Sequence, residues 1–415
     1  MNDRPTVVGV KQCRICGSGE LVPFMDFGRQ PLANALLASD TLAQPEPTYP
    51  LRVVWCSHCN LVQLGDVVDP RLMFTNYVYH SSGMPAPKHF RDYAHSLVRA
   101  FIRSPQDLVV EIGSNDGHFL AEVKITGTRV IGVDPAENLA RLAQERGVPT
   151  VADFFSAGVA RAMVAAHGPA NVIVGNNVVA HINDYRDLLE GITALLTPDG
   201  VFVLEAPYLV DMFENLTYDT IYHEHLSYLA VRPLQVLFSQ FGLEIFDVQL
   251  YPVQGMSCRV FVDRRGARPV SARVHACVNR ELALGLAQAA PYHQLAERVA
   301  ASRDQVVTLL TRLKREGKTV AAYGAPAKGN TLLNYCRLGP GMLEYAHEDL
   351  PAKVGRYTPG MHIRIVDRHY TQAHLPDYFL LLAWNYLEPI LAKEENFRRR
   401  GGRFIIPIGD AIGVR

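Results

Sequence analysis

The chain has 415 residues, 48% of them hydrophobic, which is more than one core and enough for two or three. Lysine plus arginine and aspartate plus glutamate balance at 41 each, which excludes a global pull toward nucleic acid or acidic membranes but permits a local anion site. No apolar run reaches the roughly 18 residues of a membrane span, and the first residues lack the basic-then-apolar pattern of a signal peptide. The expectation is a soluble cytoplasmic protein without nucleic-acid or membrane partners.

Four of the seven cysteines form two C-x2-C pairs, Cys13/Cys16 and Cys56/Cys59. Each pair can present two thiolates to one ion, and four thiolates around zinc close the tetrahedral shell. Such a site is structural, because no position is left for a reactive water. Cys258, Cys277 and Cys336 are scattered. The spacing predicts a zinc-binding module over residues 1–75. After it comes an aromatic stretch containing Tyr77 and Tyr79, which could either close over an active site or pack at a domain junction.

Residues 107–112 predict a buried parallel strand that runs into Glu111-Ile-Gly113-Ser-Asn115-Asp116-Gly117. Glycines there let backbone approach a ligand at the strand's C-terminal end. A second strand over 129–133 ends in Asp134, about 20 residues after the turn, where a carboxylate can grip ribose hydroxyls. Further strands are predicted over 148–151, 171–174 and 201–204. They lead into Asp153-Phe154, Asn176-Asn177 and Glu205. Helices are predicted over 136–146 and 185–196. This order resembles the class I methyltransferase fold, and the dinucleotide fingerprint G-x-G-x-x-G is absent. That resemblance implies S-adenosylmethionine around Glu111, Gly113, Asn115, Gly117, Asp134, Asp153, Phe154, Asn176 and Asn177. Asp153 also reads as a helix cap.

The most unusual stretch is Tyr222-His223-Glu224-His225. It does not meet the H-E-x-x-H zinc pattern. Methylation at a carbon next to a ketone needs a base for the acidic C–H and a donor for the enolate. Histidine suits the base role, and Glu224 or Tyr222 suits support. His181, in the loop after the fourth strand, fits either a catalytic or a structural role.

A second α/β pattern begins near residue 317. A strand over 318–323 turns through Tyr323-Gly324-Ala-Pro-Ala-Lys328-Gly-Asn330-Thr331 into a helix. Small residues, a lysine and a helix N-terminus together suit a diphosphate. A turn-rich loop containing Lys353 and strands over 344–346, 378–384 and 403–406 complete it. The expected division is 1–75, 76–260 and 261–415: zinc module, central methyltransferase domain, and C-terminal Rossmann-like α/β domain.

Taken in order, the paired knuckles, the glycine turn, Tyr222-His223-Glu224-His225 and the Tyr323–Asn330 turn resemble the nucleotide-sugar C-methyltransferases along essentially the whole chain. The resemblance implies structural zinc, S-adenosylmethionine in the central domain, and a TDP-linked 4-keto-deoxysugar between the central and C-terminal domains. It implies methylation at C3, with His225 as base, Glu224 and Tyr222 supporting it or the enolate, and His181 nearby. Substrate contacts are expected at Tyr77, Tyr79, Glu205, Tyr323, Gly324, Lys328, Asn330, Thr331 and Lys353. The alternatives are an O- or N-methyltransferase of small molecules, or a nucleotide sensor without catalysis. No heptads point to an oligomer, so a monomer is plausible on sequence.

Overall fold

The computed structural model describes residues 6–75, 77, 80–83, 87–253 and 255–415. Tyr79 lies outside the described residues. Among them, no helix is long and apolar enough to cross a membrane.

The central sheet has seven strands. Strand Leu108–Ile112 is buried at every position, as a parallel strand covered on both faces must be. On one side it pairs in parallel with Arg129–Val133, which pairs with Thr150–Val151. On the other side lie Ala170–Asn176 and then Leu196–Pro207. Two antiparallel strands, Ser257–Arg264 and Leu243–Tyr251, finish that edge. The chain reverses direction across the sheet at the first strand, between Arg129–Val133 and Ala170–Asn176, where open α/β sheets bind ligands. The third strand is two residues shorter than expected from 148–151. The last paired strand runs to Arg264, so the central sheet extends past the boundary expected at 260.

The C-terminal sheet has six strands. Its parallel part repeats the same winding: Val320–Tyr323 lies between Ala346–His347 and Tyr378–Leu381, with Ile365–Val366 and Arg403–Ile406 outside them. The run expected as strand over 378–384 breaks after Leu381, and Trp384–Tyr386 form a 3-10 turn.

The N-terminal module is a small antiparallel sheet of Leu21–Gln30, Tyr49–Cys56 and Val62–Leu64. Its fourth strand, Ser227–Tyr228, comes from the segment just after His225. The module and one face of the central sheet share one apolar core. Helix Ala290–Arg315 buries Tyr292, Leu295, Val299, Ser302, Val306, Leu310 and Leu313, a stripe at helical spacing. Tyr292 at its start stacks on Trp55 of the module, and Leu310 and Leu313 near its end enter the C-terminal core. One helix, about 39 Å long at 1.5 Å per residue, thus ties the first and last parts of the chain together.

Candidate active site

The four paired cysteines converge. The Sγ atoms of Cys13 and Cys59 lie 3.4 Å apart, those of Cys16 and Cys56 3.6 Å, and all four fall within 4.8 Å of one another. A disulfide would need about 2.05 Å. A tetrahedron with Zn–S near 2.3 Å has edges of about 3.8 Å, so the cluster fits zinc. The set has no histidine or carboxylate in it.

A cavity of about 800 Å³ lies between the C-terminal ends of the two Rossmann-like sheets. Its central lobe is lined by Glu111, Gly113, Asn115, Asp134, Phe154, Asn176 and Asn177. Gly113 has φ +67°, and a Cβ there would meet Val178 at 2.7 Å. Asp134 accepts the N–H of Asn115 at 2.8 Å and of Ala136 at 2.9 Å, which locks the glycine turn to the end of the second strand. Glu111 accepts from Asn176 Nδ2 at 2.9 Å. Its second oxygen, and Oδ1 of Asn176 and Asn177, are buried without a hydrogen-bond partner. Burial pushes the Glu111 carboxyl well up from the usual range and Asp134 up as well. Unsatisfied buried acceptors call for donors and positive charge. S-adenosylmethionine brings both, in its ammonium and its sulfonium, so the lining fits it.

Two expected cofactor residues lie apart from that lining. Gly117 has φ +73° and faces Ala143, where a Cβ would be 3.0 Å from the alanine Cβ. It serves the close approach of turn and helix. Asp153 is exposed and accepts its neighbour Phe154's N–H at 2.7 Å.

Tyr222 and His225 form the wall between the lobes, with His181 beside them. His225 Nδ1 lies 2.8 Å from the Thr220 carbonyl, which can only accept. The proton is therefore on Nδ1, and Nε2 holds the lone pair. Burial pulls the imidazole down to about 4, so it is neutral at physiological pH. Its ring centroid is 4.1 Å from Tyr222 and 5.1 Å from His181, which in turn stacks on Phe74 at 5.5 Å. His223 points away, with Nε2 near the Tyr49 and Pro50 carbonyls at 3.3 and 3.2 Å. Glu224 is buried behind the wall. It accepts Asn34 Nδ2 and the Tyr77 hydroxyl, each at 2.7 Å. Those bonds occupy both oxygens, so Glu224 fits a part that anchors the stretch to the zinc module and to Tyr77. Tyr77 and Asn34 themselves line the cavity.

The C-terminal lobe carries Tyr323, Gly324, Lys328 and Lys353, as expected, and also His347, Asp349, Asn385, Tyr386 and Lys393. Gly324 has φ +86°, and its Cβ would lie 3.0 Å from Ala383. Lys328 sits at the start of helix Ala327–Tyr335. Its Nζ donates to Asn385 Oδ1 at 2.5 Å and lies 3.8 Å from the Trp384 ring centroid. Burial pulls it down to about 8, against the pull of Asp219 and Asp211. Lys353 Nζ donates to the Ala325 carbonyl at 2.9 Å, and Lys393 Nζ to Asp349 at 2.5 Å.

Three expected substrate residues serve the framework. Asn330 donates to the Ala33 carbonyl at 2.6 Å and Thr331 to the Ile221 carbonyl at 2.8 Å. These bonds clamp the C-terminal helix onto the module and the catalytic stretch. Glu205 is 2% exposed and accepts Arg259 Nη2 and His89 Nε2, each at 2.7 Å. Burial raises the Glu205 carboxyl, but the bonds from His89 and Arg259 outweigh it and hold it below the usual range. Arg259 is itself flanked by Tyr93 and Tyr251 at 3.3 and 4.1 Å. Glu205's partners, and Asn385 and Lys393, carry no local signature in the sequence, because they sit on helices, a 3-10 turn and a strand far along the chain.

The winding of the central sheet, its glycine turn and its acceptor-rich lobe define an S-adenosylmethionine-dependent methyltransferase carrying a four-cysteine zinc module. Family models match nearly the whole chain: a zinc binding domain over 13–74, a methyltransferase domain over 87–248 and a C-methyltransferase C-terminal domain over 252–409. The C-methyltransferase NovU of Streptomyces niveus is 39% identical over 404 residues, 96% of each protein. This chain belongs to that C-methyltransferase family. Among solved structures, the CcbJ methyltransferase of Streptomyces caelestis covers 44% of this chain and 94% of its own, at 12% identity and TM-score 0.34. A SAM-dependent methyltransferase of Anabaena variabilis covers 44% and 96%, at 13% identity and TM-score 0.34. So loose a likeness carries no weight beyond them.

Proposed function

We propose that this enzyme methylates C3 of a TDP-linked 4-keto-deoxysugar. The observation that carries the reading is His225, a neutral imidazole with its proton pinned on Nδ1, set in the wall between a cation-suited lobe and a lysine-bearing lobe. Lys328, Lys353 and Lys393 at the C-terminal lobe favour a diphosphate, and the sugar then extends toward His225.

A keto group at C4 acidifies the proton on C3. His225 Nε2 takes that proton, and the electron pair spreads onto the C4 oxygen as an enolate. Burial resists an imidazolium, but the enolate formed beside it offsets that cost. In this reading Tyr222, whose ring centroid lies 4.1 Å from that of His225, donates to the enolate, and His181 stacks behind the base to hold its plane. The carbanion character at C3 is the nucleophile that C-methylation requires. When bound, S-adenosylmethionine supplies an electrophilic methyl. Glu111, Asn176 and Asn177 would hold its methionine end and Asp134 its ribose.

The test is incubation with S-adenosylmethionine and a panel of TDP-4-keto-deoxysugars carrying either an amino or a hydroxyl group at C3. Mass spectrometry should show one added methyl, and NMR should place it on carbon. An oxygen- or nitrogen-linked methyl, or none on any sugar, would overturn the reading.

A further inference from the structure

Arg14 lies between two zinc ligands, Cys13 and Cys16, and its side chain runs from the knuckle past the module's strand Val62–Leu64 to two loops outside the module. Nε donates to Asn183 Oδ1 at 3.0 Å. Nη1 donates to the Leu64 carbonyl at 3.0 Å and to the Leu226 carbonyl at 3.1 Å. Its backbone N–H donates to Gln63 Oε1 at 3.0 Å, which fixes the root of the side chain to the module's sheet.

The far ends of this fork are informative. Asn183 follows His181 by two residues, and Leu226 follows His225 directly. One planar guanidinium therefore grips both loops whose imidazoles stack 5.1 Å apart. The two loops come from different elements, one after strand Ala170–Asn176 and one before strand Ser227–Tyr228. A lysine could not replace this brace, since a single ammonium cannot reproduce the rigid fork.

We propose that Arg14 is a positioning residue for proton abstraction. Zinc fixes the first knuckle, the knuckle aims the guanidinium, and the guanidinium sets the spacing of the His181 and His225 loops. The metal thus sits away from the reacting atoms but reaches them through one side chain. This inference rests on the reading of His225 as base.

The experiment uses full-length, zinc-loaded Arg14→Ala, Arg14→Lys and Asn183→Ala proteins, with His225→Asn as control. The readouts are zinc content, S-adenosylmethionine affinity by calorimetry, kcat and KM with TDP-3-amino-4-keto-2,3,6-trideoxyglucose, and deuterium wash-in at C3 from heavy water. In Arg14→Ala, kcat and wash-in should fall together by about 30- to 100-fold, as misplacement of a catalytic group does. Zinc content and cofactor affinity should stay at wild-type level, and Arg14→Lys should recover only part of the loss. Asn183→Ala, which leaves the knuckle's own residues unchanged, should lose about 5- to 10-fold in kcat with KM unchanged. If Arg14→Ala sheds zinc, Asn183→Ala decides: a kcat-only loss supports the brace, and an unchanged kcat overturns it. Unchanged kcat in both variants, or losses tracking cofactor binding in both, also overturns it. Wild-type wash-in in His225→Asn would instead remove the base assignment on which the proposal stands. A silent Arg14→Ala beside a dead His225→Asn would remove the brace alone.

Discussion

The two Rossmann-like sheets are wound alike but lined differently: acids and amides in one lobe, lysines among acids in the other. In each, a glycine with positive φ follows the first strand: Gly113 in the central sheet and Gly324 in the C-terminal one. In each, an acid after the second strand holds that turn by its backbone. Asp134 accepts the Asn115 N–H, and Glu348 accepts the Ala325 N–H at 3.1 Å. The side chains facing the cavity then diverge. The central lobe offers Glu111, Asp134 and amide oxygens, two of them buried and unpartnered, a lining suited to a cation. The C-terminal lobe instead carries Lys328, Lys353 and Lys393 beside Glu348 and Asp349, with Lys353 3.6 Å from Glu348 and Lys393 2.5 Å from Asp349, so Lys328 is, among the described residues, the lysine there with no carboxylate bonded to it. Topology therefore sets where each ligand goes, and a few side chains at strand ends set which ligand it is.

If the lobes bind and the wall reacts, the largest effect belongs to the wall. His225→Asn should lower kcat by about 10³-fold, within the usual range for loss of a general base. Cofactor and sugar affinities should stay within about 3-fold by calorimetry. Deuterium wash-in at C3 should vanish with kcat. Wash-in persisting while methylation fails would move His225 from the proton to the methyl step and break the division between lobes and wall.

The second test separates the lobes from each other. Gly113→Ala forces a side chain into left-handed backbone and against Val178. A cost of about 3 kcal/mol from strain and overlap would weaken S-adenosylmethionine about 100-fold. Sugar affinity should hardly change. Lys328→Met, which keeps the bulk and removes the charge, should raise KM for the TDP-sugar about 10- to 100-fold, the range of a charge-assisted hydrogen bond. It should leave cofactor binding alone. If Lys328→Met weakens the cofactor instead, the charge argument for the two lobes is wrong.

How much of this was legible in the sequence follows from where the partners of each residue lie. The cysteine knuckles, the two glycine turns and Asp134 depend on spacing within some twenty residues or on a chemical pattern; the structure brings the four cysteines together and sets Gly113, Asp134 and Gly324 on the cavity wall. Strand Arg129–Val133 begins and ends as expected because its apolar run is bounded on both sides. Glu224 looked like part of the catalytic surface because it stands between two histidines. Its position is instead decided by Asn34 and Tyr77, at the far end of the chain, and local pattern contains nothing about them. The turn they follow points Asn330 and Thr331 toward a ligand, yet their side chains bond to Ala33 of the N-terminal module and Ile221 of the segment before His225. The same reason hid Arg14, whose neighbours in sequence announce only zinc.

The smallest effect is on pH, and it tests the charge contrast without any cofactor-lobe mutation. His225 is held down to about 4 by burial, so the base stays unprotonated until pH falls to that range. An ordinary histidine near 6.5 would already be half protonated well above it. Lys328 is held down to about 8, so its positive charge fades as pH rises through 8 rather than through 10.5. For kcat/KM with the TDP-sugar, these give a bell with an acid limb near 4 from the wall and an alkaline limb near 8 from the C-terminal lobe. Between pH 5.5 and 7.5 the rate should change by less than about twofold. Lys328→Met should flatten the alkaline limb and leave the acid limb where it is. An acid limb near 6.5 would mean that the imidazole is better solvated or better paired than its burial implies. An alkaline limb surviving Lys328→Met would show that Lys328 is not the group that sets it.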